Sequence, residues 1–254
     1  MSNNARRYER NSNTRKRKTF GESDHQPKQK FVEGRHEKAK NFELKAKTKG
    51  QSVLLSLLRE CQMVVADGSA GSGKTYVTLM YAAKEFLDGK FEKIVIYRAY
   101  QPLAGRTVGF LKGSEKDKLM PYMAEQVALL EKFLGKGFVE VGLSSGTIEL
   151  GLLEAVRGRS FESAFILVDE AQLLTPAEIQ ALTTRIGEGS QMVFIGDSNQ
   201  TDNRSKSGGL RYLANIVEKY GIQDVGFVSF TSQDCVRSGL VRDFLLAYDE
   251  EGYL

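Results

Sequence analysis

The sequence predicts an α/β fold in three layers, a doubly wound and mostly parallel sheet between two sets of helices. Three observations predict it. Short apolar runs stand at 63–66, 94–97, 165–168, 192–195 and 225–230, each continuous in the manner of strands covered on both faces. Stretches with helical spacing of apolar residues alternate with those runs. The first run also ends in a glycine-rich loop that opens directly into one of the helical stretches.

Taken in order, residues 52–60 place Val53, Leu54, Leu57 and Leu58 at helical spacing. Met63-Val64-Val65-Ala66 is the first strand, and a helix follows over 74–87. Ile94-Val95-Ile96-Tyr97 and Phe165-Ile166-Leu167-Val168 are further strands, as are Met192-Val193-Phe194-Ile195 and residues 225–230. Helices are expected at 120–134, 176–186, 209–218 and 239–248. The sequence shows no internal repeat.

The chain has 254 residues, enough for one sizeable α/β domain with an appendage. Nothing approaches the roughly 18 consecutive apolar residues of a membrane helix, and the polar start lacks the apolar core of a secretory signal. Cys61 and Cys235 are the only cysteines; two give neither a disulfide framework nor a zinc pattern. A cytoplasmic protein with reduced thiols is expected. The net charge of +4 is unevenly spread. The first 49 residues hold 15 Lys and Arg against 6 Asp and Glu, a net of +9, and the remainder, with 21 against 26, carries −5. Residues 1–45 therefore read as a basic, largely disordered arm and residues 46–254 as the folded domain. The Arg15-Lys16-Arg17-Lys18 cluster suits nucleic-acid phosphates or a simple solvated tail.

Gly68-Ser69-Ala70-Gly71-Ser72-Gly73-Lys74-Thr75 fits G-x-x-x-x-G-K-[ST] throughout. Glycines there let successive backbone N–H groups converge on an anion, and the following helix adds its positive end. This pattern predicts binding of a nucleoside triphosphate, with Lys74 on the β- and γ-phosphates and the Thr75 hydroxyl on Mg²⁺. Phe165-Ile166-Leu167-Val168-Asp169-Glu170 is a strand that ends in two acids at the sheet edge where ligands bind in such folds. Asp169 is expected to hold Mg²⁺, and Glu170 to act as general base toward the attacking water. Another strand ends in Gly196-Asp197-Ser198-Asn199-Gln200, whose polar groups suit sensing of the γ-phosphate.

These motifs, in this order, resemble those of the PhoH family, P-loop ATPases with a RecA-like core similar to the first core domain of superfamily-one helicases. The resemblance runs from about Gln51 to the C-terminus. It includes Gly105-Arg106-Thr107-Val108-Gly109-Phe110-Leu111-Lys112-Gly113, Arg157-Gly158-Arg159, Asp169-Glu170-Ala171-Gln172, Thr184-Arg185-Ile186-Gly187 and Asp234-Cys235-Val236-Arg237. It implies that Gln51 reads adenine, that Gln172 and Gln200 position water or the γ-phosphate, and that Arg185 and Arg237 are arginine fingers or sensors. Four positions depart from the family pattern: Ala99 and Lys112 for proline, Leu173 for asparagine, and Ser238 for histidine. The short chain suits a phage-encoded member.

The resemblance implies a Mg²⁺-dependent ATPase, helicase-like, coupled to RNA or single-stranded DNA. One RecA-like domain cannot close ATP between two, so a homo-oligomer is expected, a hexameric ring with Arg185 or Arg237 acting in trans. Two other classes start from the same loop. A small-molecule kinase would use residues 105–122 as a lid, and a nucleotide-gated binding protein would turn over slowly.

Overall fold

The computed structural model describes residues 42–99, 115–152, 160–200 and 208–251. Six strands form one sheet: β1 (Met63–Gly68), β2 (Lys93–Arg98), β3 (Ile148–Leu152), β4 (Ala164–Asp169), β5 (Gln191–Ile195) and β6 (Val225–Phe230). Their order is β3-β2-β4-β5-β1-β6, and all five pairings are parallel. Seven α-helices accompany them among the described residues: α1 (Lys49–Glu60), α2 (Lys74–Leu87), α3 (Glu115–Leu134), α4 (Lys136–Ser145), α5 (Pro176–Thr183), α6 (Gly209–Tyr220) and α7 (Gly239–Glu250). The three-layer, RecA-like arrangement expected from the sequence is present. No described helix is long and apolar enough to cross a membrane.

Two apolar cores flank the sheet because successive strand residues point to opposite faces. Val64, Ala66, Ile94, Ile96, Phe165 and Leu167 pack beneath α1 to α4, while Val65, Val95, Ile166, Val168 and Phe194 meet α5 and α6. β1, β4 and β5 are buried on both faces, which is why they read as unbroken apolar runs.

The elements differ from expectation where tertiary context decides. β6 is an edge strand whose burial alternates, leaving Phe227 exposed, so its apolar run is not that of a central strand. α4 and β3 carry no strong periodic signal and are additions to the predicted set. Helix 176–186 stops at Thr183 because Ile186 instead bridges Phe161 in parallel and Gly187 donates to the Phe161 carbonyl. Its start is well specified: Pro176 opens it, and Thr175 with Glu178 forms a reciprocal capping box. Phe42 and Leu44, assigned by sequence to the basic arm, pack on the first core, with the Phe42 ring 5.6 Å from that of Phe133. The packed body therefore includes residues before 46; positions 1–41 lie outside the described residues. In contrast, α7 keeps Leu240, Phe244 and Tyr248 largely exposed.

Phe165 sits at the centre of the first core, fully buried between the rings of Phe91 at 5.5 Å and Tyr81 at 6.1 Å. Truncating it leaves a cavity between rigid neighbours. Phe165→Ala should lose about 3–5 kcal/mol of unfolding free energy in a denaturant titration.

Candidate phosphate-binding site

In a parallel sheet all C-terminal strand ends lie on one edge, and here that edge carries the predicted motifs. The loop at 68–75 leaves β1 at Gly68 and enters α2 at Lys74. Its geometry is set by both flanking strands. The Gly68 N–H donates to the Gly196 carbonyl after β5 (3.2 Å), the Ser69 N–H to the Phe230 carbonyl of β6 (3.2 Å), and the Val236 N–H to the Gly71 carbonyl (3.0 Å). Gly68 adopts φ +119°, and a Cβ there would stand 2.0 Å from the Phe230 carbonyl oxygen. Only glycine fits. Gly73 caps α2 with φ +79° and offers no side chain, so the first-turn amides of α2 are left for a ligand.

Lys74 is buried. Its ammonium donates to the carbonyls of Gly68 and Ser69, the latter at 2.8 Å, and approaches the Ser72 hydroxyl at 3.4 Å. Burial lowers its pKa, against the opposing pull of Asp197, Asp67, Asp169 and Glu170. The loop thus holds its own cation on backbone oxygens that a phosphate can replace.

Asp169 ends β4 and is 7 % exposed. One of its oxygens accepts from the Glu170 N–H (3.1 Å) and the other from the fully buried Gln126 amide of α3. Burial, reinforced by Glu170, raises its pKa. Glu170 follows in a left-handed conformation, φ +55°. Arg98 donates to its Oε1 at 3.1 Å and Gln172 to its Oε2 at 2.7 Å. The Gln172 Oε1 in turn accepts the Asp197 N–H at 3.2 Å. Asp197 is 5 % exposed, and its Oδ2 finds no partner among the described residues.

Lys74, Asp169, Glu170 and Asp197 share one cavity of about 290 Å³. Residues 70–76 line it together with Glu125, Asp169, Glu170, Asp197 and Arg237. The sequence-predicted loop and the acidic strand end therefore converge. A divalent cation fits the donor set: the Thr75 hydroxyl, the Asp169 carboxylate and the orphaned Asp197 oxygen are hard donors on one cavity. No cluster of three or more His, Cys, Asp or Glu side chains suited to an ion exists among the described residues. Water and phosphate oxygens would have to complete the shell.

Not every expected residue lines this cavity. Gln51 abuts the loop but does not line the cavity. Its Nε2 donates to the Ser72 carbonyl (2.8 Å) and its Oε1 accepts the Lys47 N–H (2.8 Å), so the amide braces the loop from behind. Arg237 lines its own chain's cavity, its stem 3.0 Å from where a Gly71 Cβ would lie. Arg185 is absent from the cavity. Its carbonyl pairs with Phe161 ahead of β4, toward the opposite edge of the sheet from Asp169. Gln200 ends a short 3-10 turn, Ser198–Gln200. Arg157, Arg159 and the segment 105–113 lie outside the described residues. Arg98, Gln126 and Glu125 are the contributors that sequence reasoning missed. Arg98 had a signal, for it ends β2 in register with Asp169 at the end of β4. Gln126, mid-helix in α3, had none.

The family described as PhoH-like protein matches residues 43–249. The chain belongs to the PhoH family. A PhoH-like protein of Bacillus subtilis (strain 168) is 33 % identical over 214 residues, covering 84 % of this chain and 66 % of that protein. Protein PhoH of Escherichia coli (strain K12) is 32 % identical over 206 residues, covering 80 % of this chain and 57 % of that one. This PhoH-family chain thus spans somewhat under two thirds of the length of these relatives. Among solved structures, the large terminase from a thermophilic bacteriophage overlays with a TM-score of 0.46 at 15 % identity, covering 79 % of this chain and 50 % of that one. Its complex with ADP scores 0.45 at 16 % identity, covering 78 % of this chain and 48 % of that one. These likenesses are too weak to carry an inference.

The turn after β6 belongs to the site as well. Asp234 accepts the Gly50 N–H at the start of α1 (3.0 Å) and the Thr231 N–H (3.3 Å), closing a clasp over the loop's outer side. Burial acts to raise its pKa, but hydrogen bonds from Thr48, Gly50 and Thr231 outweigh it and hold the pKa below the usual carboxylate value. A depressed folded-state pKa gives stability that is present above the unfolded value and lost as pH falls through the folded one. The stability gap between wild type and Asp234→Ala should be widest above about pH 4 and narrow below it, as read by thermal unfolding across pH.

Proposed function

We propose that this chain binds ATP with Mg²⁺ and hydrolyses it by attack of water on the γ-phosphate. The observation that carries the reading is the shared cavity of the 68–75 loop and the 169–170 acids. Lys74 exchanges its loop carbonyls for β- and γ-phosphate oxygens, while the loop amides and the first turn of α2 take the remaining charge. Thr75 and Asp169 would hold Mg²⁺, which when bound neutralises charge on the phosphate oxygens. Glu170, at the rim of the cavity, accepts the proton of the attacking water. Arg237 supplies a cation from the same chain as the transferring oxygens gain charge.

The coupled task is binding or remodelling of RNA or single-stranded DNA. The basic segment at 1–49 and the helicase-like order of motifs support it. Lys74→Ala should abolish turnover. Glu170→Gln should retain ATP binding and lose about 100-fold or more in cleavage. Single-stranded polynucleotide should stimulate the wild type; a steady-state phosphate-release assay with and without RNA and DNA checks the three rates, and equilibrium ATP binding checks the affinity of Glu170→Gln. Equal rates in every arm would remove the nucleic-acid coupling.

The same reading includes a ring of copies, most simply a hexamer. Arg185 does not line its own chain's cavity, and in the ring a neighbouring copy would contribute it. Arg185→Ala and Glu170→Gln should each be inactive alone. Mixed, they should regain part of the wild-type rate, because some sites then combine an intact Glu170 with an intact Arg185 from the next subunit. A mixture no better than either variant, or a monomer in sedimentation at full activity, counts against the ring.

A further inference from the structure

Among the described residues, Glu170 is the one cavity carboxylate whose two oxygens are each held by a different side chain, and those holders come from two different parts of the fold. Gln172, on its own loop, takes Oε2. Arg98, the last residue of β2, takes Oε1 at 3.1 Å with Nη2 and with Nη1 donates to the Tyr122 carbonyl of α3 at 2.6 Å. The guanidinium is therefore a strut with one end on a helix backbone and the other on the carboxylate.

Fold stability does not explain this strut. The Arg98 and Glu170 side chains are 28 % and 36 % exposed, so neither charge needs neutralising for burial, and pairs this open contribute little. What the strut does is fix a direction. Glu170 sits at φ +55°, a backbone conformation uncommon for residues other than glycine, and without lateral donors its side chain would sample several rotamers toward solvent. A planar guanidinium with divergent N–H groups can meet a carbonyl and a carboxylate at once; an ammonium is a point charge and cannot reproduce that geometry.

We propose that Arg98 is the positioning residue for Glu170, holding the carboxylate at the angle from which it takes the proton of the attacking water. This rests on the reading of Glu170 as general base. It also makes α3 a common support for both acids, since Gln126 of the same helix holds Asp169.

The test is a double-mutant cycle on the full chain, read by ATPase kinetics and equilibrium ATP binding, with thermal unfolding as a check on folding. Arg98→Ala should lower kcat roughly 10- to 100-fold, the scale of a small misplacement of a reacting group, with KM and ATP affinity within about twofold. Arg98→Lys should recover only part of the loss. Adding Arg98→Ala to Glu170→Gln should lower the residual single-turnover rate no further, because Arg98 acts through Glu170. A wild-type kcat in Arg98→Ala beside an inactive Glu170→Gln overturns the positioning role and leaves the base intact. Additive losses in the double variant, or loss of ATP affinity, overturn it too. A wild-type rate in Glu170→Gln removes the base and the proposal together. Should Arg98→Ala fail to fold, Arg98→Gln takes its place, with the same outcomes.

Discussion

The site depends on the seating of β1 between β5 and β6. A loop that presents backbone N–H groups to a ligand cannot use them to hold itself together, so its shape must be set by groups outside the ligand face. The parallel ladder supplies those groups on both sides. Gly196 receives the N–H of Gly68, Phe230 receives that of Ser69, and Val236 donates to Gly71. Gln51 closes the back through the Ser72 carbonyl. With its anchors assigned elsewhere, the loop keeps its remaining amides and the end of α2 directed at the cavity.

The same edge concentrates charge in a way that favours a phosphate ligand with a cation. Lys74 is the buried cation of the cavity, and four carboxylates act on it. Asp169 is driven upward in pKa by burial and by Glu170, and Asp197 keeps an oxygen without a partner among the described residues. Acids in such a place repel one another until positive charge arrives. The geometry thus tolerates them as a set whose mutual repulsion a bound cation would relieve.

Much of this was legible in the sequence because the signals are local. Continuous apolar runs marked β1, β4 and β5, since central parallel strands have no wet face. The glycine pattern and the strand-terminal Asp169-Glu170 gave the loop and the acids, because strand-to-loop chemistry is written within a few residues. What stayed hidden is long-range. Gln126 reaches Asp169 across 43 positions, and nothing in the run of α3 distinguishes it from a surface glutamine. The burial of Gln51 behind the loop follows from how α1 packs, which its own residues do not state. Arg98 stood between these cases: its place at a strand end was readable, its partner was not. The edge character of β6 was missed because a run of apolar residues does not reveal which neighbour is absent.

The clasp after β6 changes how the end of the chain should be regarded. Residues 231–237 add no strand to the sheet, yet they tether the start of α1 through Asp234, pin Gly71 through Val236 and bring Arg237 to the cavity wall. A protein shortened at Phe230 would keep every strand and most of both cores. It would retain a folded body while forfeiting one wall of its pocket, so trimming that looks harmless by sheet topology would remove chemistry before architecture.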